Sequence, residues 1–266
     1  MTEGFLLNQV LLLAKQNEFA EMAALDGGTP LMQGARGVET AVSWMRHYAG
    51  WCDKLTGDLM STFDTRGEFS YSMPEPIGIV GIINTWNGPL IGMGMKVSPA
   101  LAAGNCVILK PAEITPFAPE LFAQCCKEAG IPDGVLSVLP GTGEAGDAIV
   151  RHPKVRKISF TGGPITARKI LTAAAEQIKP SVMELGGKSA SLTFPDCDLE
   201  AAAERAVFWT IGCLAGQGCA LPTRQLVHAD IYDEFVERMV AIADSYFEAI
   251  EQALALGCTD SAAVHH

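Results

Sequence analysis

Several protein classes are excluded by what the 266-residue chain lacks. It has no run of lysines and arginines, and its formal net charge is -11, so the electrostatic footprint of a nucleic-acid binder or of a protein seated on an anionic membrane is missing. A small-molecule partner is the expectation instead. None of the eight cysteines forms a CxxC pair, and only Cys125 and Cys126 are adjacent, which fits neither a disulfide framework nor a zinc site in a chain of this length. A reducing cytoplasm is the expected compartment, and no metal is expected. Long apolar runs are also missing. The segment "FLLNQVLLLA" is interrupted by Asn8 and Gln9, follows no basic stretch and is too short to span a bilayer, so neither an export signal nor a membrane span is expected. The fingerprint GxGxxG does not follow the first strand candidate, and neither an internal repeat nor a low-complexity linker occurs.

What is present is a chain 48% hydrophobic, enough to bury a core in one large domain or two moderate ones. From residue 10 to about residue 60 apolar residues recur at three and four positions, through "FAEMAALDGG" and "VETAVSWMRHYAGWCDKL", predicting helix. The period changes at residue 77. "IGIVGII" and "CVILK" are short apolar runs without alternation, as in strands buried on both faces of a parallel sheet. The further strand candidates "VLSVL", "KISF" and "SVMEL" alternate with helix-length stretches at 90–104, 116–130, 144–151 and 164–179. About five β-α repeats predict an α/β fold, a Rossmann-like doubly wound parallel sheet with helices on both faces and a ligand at the carboxyl ends of its strands. After "SASLTF" follow a helix over 198–212, the loop "LAGQGCALPTR", the stretch "QLVHAD", a last helix over 231–251 and an aperiodic tail, "LGCTDSAAVHH".

Taken one at a time, the motifs are ambiguous. "GTGEAG" fits GxGxxG with Gly141, Gly143 and Gly146, and is equally a glycine-rich turn before a helix. "FTGGPITAR" opens another helix, where the N–H groups around Gly162 and Gly163 are placed to cradle a pyrophosphate. Trp86 reads as core or contact, Asn87 as turn residue or oxyanion donor, and Lys110 with Glu113 as a solvated pair or a ligand pair. Trp44, Trp51 and Trp209 read as core. Cys219, in "AGQGCA", stands in a loop with glycines that allow close approach, yet a buried inert cysteine is the commoner case. Glu184, in "VMELGGKSA", ends a strand at a glycine turn.

Taken together and in order, "TWNGPL", "LKPAE", "ISFTGG", "MELGGKSA" and "GQGC" resemble the successive signatures of the NAD(P)-dependent aldehyde dehydrogenase superfamily, over roughly residues 10 to 250. The resemblance implies that Cys219 is the nucleophile, adding to an aldehyde to give a thiohemiacetal whose oxyanion is held by the Asn87 amide and the Cys219 N–H. It implies that Glu184 is the base that activates water against the thioester. Lys110 and Glu113 then contact the adenosine ribose, Trp86, Phe160, Gly162, Gly163 and Leu185 line the cofactor path, and the turn with Gly143 supports the adenine end. Glu113 beside a ribose 2′-hydroxyl accepts its hydrogen bond and repels a 2′-phosphate, favouring NAD over NADP. Residues 1–184 would form the N-terminal helices and NAD-binding α/β domain, and 185–266 part of a second α/β catalytic domain.

The sequence departs from the family pattern in places. Gly163 stands where a serine is usual and Ala167 where a glycine is, while Gly218 and Pro222 give the cysteine loop an unusual path. No "EIFGP" segment occurs, and the chain reads as truncated at both ends, without the elements through which the family forms homo-oligomers; exposed sheet edges and poor solubility are expected. Two alternatives to an active dehydrogenase therefore stay open. One is a catalytically impaired nucleotide-binding or vestigial member of the family. The other is a cysteine esterase, poorly supported because His47, His152 and His228 lie outside any motif that would pair them with Cys219.

Overall fold

The computed structural model describes residues 2–62 and 67–255; the tail "LGCTDSAAVHH" lies outside them. The N-terminal half begins with α1 (Thr2–Ala14), α2 (Gln16–Gly27) and α3 (Leu31–Ala49). The expected helical stretch is thus three helices, starting earlier and ending earlier than the periodicity alone suggests. The break after α2 has a local cause: Gly28 takes a left-handed φ of 65° and returns its N–H to Ala24, and Pro30 then precedes α3. A short antiparallel pair, β1 (Leu59–Met60) and β2 (Ser70–Tyr71), follows.

The central sheet is built from β3 (Ile79–Ile83), β4 (Cys106–Lys110), β5 (Leu136–Val138), β6 (Val155–Gly162) and β7 (Ser181–Leu185), all parallel, in the order β5-β4-β3-β6-β7. The chain enters at the middle, winds outward to β5, returns to lie beside β3 as β6, and winds outward again to β7. Its connections are α4 (Pro89–Ala102), α5 (Phe117–Glu128), α6 (Gly143–Arg151) and α7 (Pro164–Ala175). Proline at the first helical position starts α4 and α7, where its fixed φ suits the helix and its missing N–H costs nothing.

Alternate residues of the strands feed two cores. Val80, Ile82, Val107 and Leu109 pack beneath α1 and α3 to α5, and Ile79, Ile83, Ile108, Ile158 and Phe160 face α6 and α7 on the other side. Burial on both faces is what the unalternating apolar runs predict. The switch between β3 and β6 is the point where the strand order reverses, and it opens a crevice at their carboxyl ends.

A second, parallel two-stranded sheet pairs β8 (Ala190–Thr193) with β9 (Arg224–Val227) and is not hydrogen-bonded into the first. It packs with α8 (Leu199–Val207) and α9 (Tyr232–Ala255) around Ala203, Ala206 and Phe235. Asp198 caps α8 by accepting the Ala201 N–H at 3.1 Å. The helix expected to reach residue 212 stops at Val207 and widens into a π-type turn over Phe208–Gly212, where the Thr210 hydroxyl bonds back to the Ala206 carbonyl at 2.6 Å. No helix among the described residues is long and apolar enough to cross a membrane.

Candidate active site

Every residue to which the resemblance gives a catalytic or cofactor role lies on or just beyond the carboxyl end of a strand of the five-stranded sheet, or in the loop before β9. The register makes this explicit: Ile83 pairs with Lys110 on one side and Phe160 on the other, while Thr161 pairs with Glu184 and Gly162 with Leu185. Trp86 and Asn87 follow β3 by three and four residues. Their loop is fixed from beneath by Asn84, whose side-chain amide donates to the Pro89 carbonyl at 2.9 Å. Gly92 is required there, because a side-chain carbon would lie 2.3 Å from the Asn84 oxygen.

Asn87 reaches the cysteine loop directly. Its Nδ2 donates to the Gln217 carbonyl at 2.6 Å, and its Oδ1 accepts from the Thr85 hydroxyl at 2.8 Å. The Thr85 bond sets the amide orientation, so the donor side faces the loop. From the other side, a side-chain carbon at Gly187 would sit 3.5 Å from the Cys219 carbonyl oxygen, so the glycine turn after Glu184 and the cysteine loop are neighbours. Arg224 ties the two segments together through its N–H to Ser189 and its guanidinium to Lys188. Cys219 is exposed. Cys213, six residues earlier, is partly buried, and that burial pushes its thiol pKa up and away from the nucleophilic thiolate.

The unusual loop residues account for each other. At Gly218 a side-chain carbon would lie 2.4 Å from Leu221 Cγ, and Leu221 is buried over it, ahead of Pro222. The loop path raised by Gly218 and Pro222 is therefore a turn in which Leu221 fills the space a side chain at position 218 would occupy.

Glu184 stands exposed at the end of the edge strand β7. One charge near enough to interact with it, without an ion pair, was not legible in the sequence. Lys96, on α4, feels the Glu184 carboxylate and donates to the Ser159 hydroxyl of β6 at 2.8 Å. Burial lowers the Lys96 pKa from the ordinary lysine value, and the Glu184 charge acts the other way. A lysine among the buried residues Met93, Val97 and Ser98 was the available sequence signal.

The remaining residues form the crevice. Lys110 is buried at the end of β4 and bonds the Pro111 carbonyl at 3.0 Å and exposed Glu113 at 3.3 Å. Gly146 of α6 faces the Lys110 stem and Ile83, where a side-chain carbon would lie 3.6 and 3.7 Å from them, an ordinary contact distance that does not demand glycine. Gly143 and Gly163 meet open space where a side chain would be, and Gly163 precedes α7 with no side chain capping the helix. Phe160 is buried in the second core, its ring packed under Gly162, so it supports the turn from below. Leu185 is partly exposed and Trp86 is 38% exposed at the mouth. The tryptophans expected in the core are not there: Trp51 and Trp209 are 45% and 39% exposed, and Trp44 is only partly buried. Trp51 lies in the turn that follows α3 and Trp209 in the π-type turn, where rings reach the surface.

A doubly wound α/β sheet with an amide, a carboxylate, an open helix N-terminus and a cysteine loop gathered at its switch point defines a class of protein whose chemistry is carried by that crevice. Within that class, the model of the aldehyde dehydrogenase family matches residues 6–259, and the chain belongs to this family. Phenylacetaldehyde dehydrogenase of Pseudomonas fluorescens is 39% identical over 259 residues, 93% of this chain and 51% of the relative. The crystal structure of an NAD-dependent aldehyde dehydrogenase from Sinorhizobium meliloti is similar with a TM-score of 0.86 at 33% identity, covering 91% of this chain and 48% of that one. An NADP-dependent enzyme of E. coli is similar at a TM-score of 0.86 and 32% identity, over 90% and 50% of the two chains. The chain spans about half the length of the curated relatives it matches.

Proposed function

We propose that the protein oxidises an aldehyde to a carboxylic acid with NAD, through a covalent adduct on Cys219. The observation that carries this is the contact of the Asn87 amide with the cysteine loop, 2.6 Å from Nδ2 to the Gln217 carbonyl, beside the turn that carries Glu184. The Cys219 thiolate adds to the aldehyde carbon, and the carbonyl oxygen takes up the charge. Asn87 Nδ2 and the Cys219 N–H then hold that oxygen, Asn87 exchanging the Gln217 carbonyl for it; such a donor contributes roughly 3 to 4 kcal/mol to lowering the barrier. A bound nicotinamide supplies the acceptor for the hydride that leaves the same carbon. Glu184 takes a proton from water as that water attacks the Cys219 thioester, releasing the acid and the thiolate. Exposed at the end of β7, Glu184 has direct access to solvent water.

The crevice fits a dinucleotide. The uncapped N-terminus of α7 behind Gly162 and Gly163 suits a pyrophosphate, and open space at Gly143 suits the adenine end. Lys110 and Glu113, already paired, would hold the adenosine ribose, with Trp86 and Leu185 at the nicotinamide side. The exposed Glu113 carboxylate repels a 2′-phosphate, which supports NAD over NADP. A division into a cofactor domain, 1–184, and a catalytic part, 185–266, is supported by the separate β8–β9 sheet. A reducing cytoplasm is supported by the seven free cysteines among the described residues.

Purified protein incubated with NAD and a panel of aldehydes tests the proposal. NADH accumulates with at least one aldehyde, and Cys219→Ala and Glu184→Gln each abolish steady turnover, while Asn87→Ala lowers it about a hundredfold or more. Folded protein that binds NAD without turnover on any aldehyde would instead establish the vestigial reading.

A further inference from the structure

The segment that delivers Cys219 to the crevice is held by a side chain outside every motif. Gln33 lies in the first turn of α3, and its amide meets the backbone of the loop twice: Nε2 donates to the Gly212 carbonyl, and Oε1 accepts the Leu214 N–H at 3.1 Å. We propose that Gln33 is the positioning residue of the nucleophile loop, acting on Cys219 through the backbone of Gly212 and Leu214. This rests on the assignment of Cys219 as the nucleophile.

Leu214 takes a φ of 51°, the left-handed region that a leucine rarely adopts and that persists only where the surroundings over-determine it. The Gln33 contacts fall on this residue and on the carbonyl two residues before it. One primary amide provides both a donor and an acceptor, the pairing that a backbone strand would offer; neither an ammonium nor an ionised carboxylate provides both. Beyond Leu214 the turn closes on itself, with the Gly216 N–H bonded to Cys213 at 2.9 Å and the Gln217 N–H to Leu214 at 3.0 Å. The Gln217 carbonyl then receives the Asn87 amide. Gln33 therefore fixes the entry of the 212–217 segment and Asn87 its exit, and Cys219 follows two residues later. Among the described residues, no other side chain from outside the loop and its preceding helix bonds the backbone of this segment.

Amide exchange in the full chain, read by peptide mass spectrometry, tests the role without needing turnover. In Gln33→Leu, exchange of the 208–221 peptide and iodoacetamide alkylation of Cys219 both rise about tenfold, the scale of losing such a hydrogen bond, while the amides of β4 keep wild-type exchange. In Gln33→Glu the carboxylate keeps the Leu214 bond but turns an oxygen on the Gly212 carbonyl. Protonation restores a donor, so exchange relative to wild type at the same pH is fast at neutrality and closes to the wild-type rate below about pH 4.3. A side chain that only fills space gives no such pH dependence. If Gln33→Leu loses protection in β4 as well, the Glu variant decides. Wild-type exchange and alkylation in a folded Gln33→Leu variant, or fast exchange in the Glu variant at every pH, overturns the proposal. Aldehyde turnover that survives Cys219→Ala sinks the nucleophile assignment instead, and leaves the exchange result to stand for the loop.

Discussion

Cys126 shows how one buried group sets a pH limit on the fold. It is 2% exposed on α5 and accepts a hydrogen bond from the Asn8 amide of α1 at 3.1 Å. Burial, helped by neighbouring Cys125 and opposed by Asn8, pushes its thiol pKa up from 9.0 to about 12. The folded chain thus keeps this proton where the unfolded chain releases it. The contribution to stability is complete below about pH 9 and is lost as pH rises toward 12, by roughly 1.4 kcal/mol per pH unit. Urea unfolding at pH 8, 9 and 10 should show wild-type stability falling faster than that of Cys126→Ala, whose overall stability is lower because of the cavity. Parallel pH slopes for the two proteins would remove Cys126 as the cause. At this scale legibility follows the kind of contact. The placement of Asn87, Glu184 and Cys219 at the crevice was legible because each sits in a short motif in a fixed order, the first two at strand ends and Cys219 in the loop before β9. Lys96 and Gln33 were not, because their partners lie on other elements, in the case of Gln33 179 residues away.

Between elements, glycines set how closely helices approach, and two of them should respond oppositely to one substitution. Gly94 is on α4 where it crosses α3, and a side-chain carbon there would lie 2.8 Å from Ala41 Cα, a backbone atom that cannot swing aside. Replacing glycine by alanine in a helix gains up to about 1 kcal/mol in propensity, but overpacking costs about 1 to 3 kcal/mol, so the clash wins at Gly94. At Gly143, the first residue of α6, nothing lies within 4 Å, and only the gain remains. Thermal unfolding should place Gly94→Ala below wild type and Gly143→Ala level with it or above; the reverse order would refute the packing argument. The sheet itself was legible because strands buried on both faces need continuous apolar runs, and "SVMEL" matches β7 residue for residue. Helix ends were less so. The stretch expected to run to residue 179 stops at Ala175, and Ile178, at φ 52°, turns the chain toward β7 so that Lys179 can reach the Val150 and His152 carbonyls. That exit depends on a contact with α6, which periodicity along α7 does not contain.

Over the whole molecule, apolar surface is concentrated where the second sheet stands open. Leu192 of β8 and Leu226 of β9 are paired in register and are 67% and 53% exposed, with Phe194 at 54% beside them. A parallel sheet is ordinarily covered on both faces, and here α8 and α9 cover one. The net charge of -11 opposes association, but within the two strands the Leu192 and Leu226 face carries a single charge, that of Arg224. The physical expectation is a chain that self-associates through this face and binds a hydrophobic dye. Introducing Leu192→Glu with Leu226→Lys places opposite charges directly across the pair, where they attract by roughly 0.2 to 1 kcal/mol while making the face hydrophilic. Light scattering after size exclusion should show the double variant shifted toward monomer, with less dye bound and an unfolding midpoint close to wild type, since neither leucine is in a core. A wild-type chain that is already monomeric and dye-silent at the same concentration would show that this face is not adhesive. A double variant that unfolds would show that the two leucines support the sheet on which Cys219's loop ends.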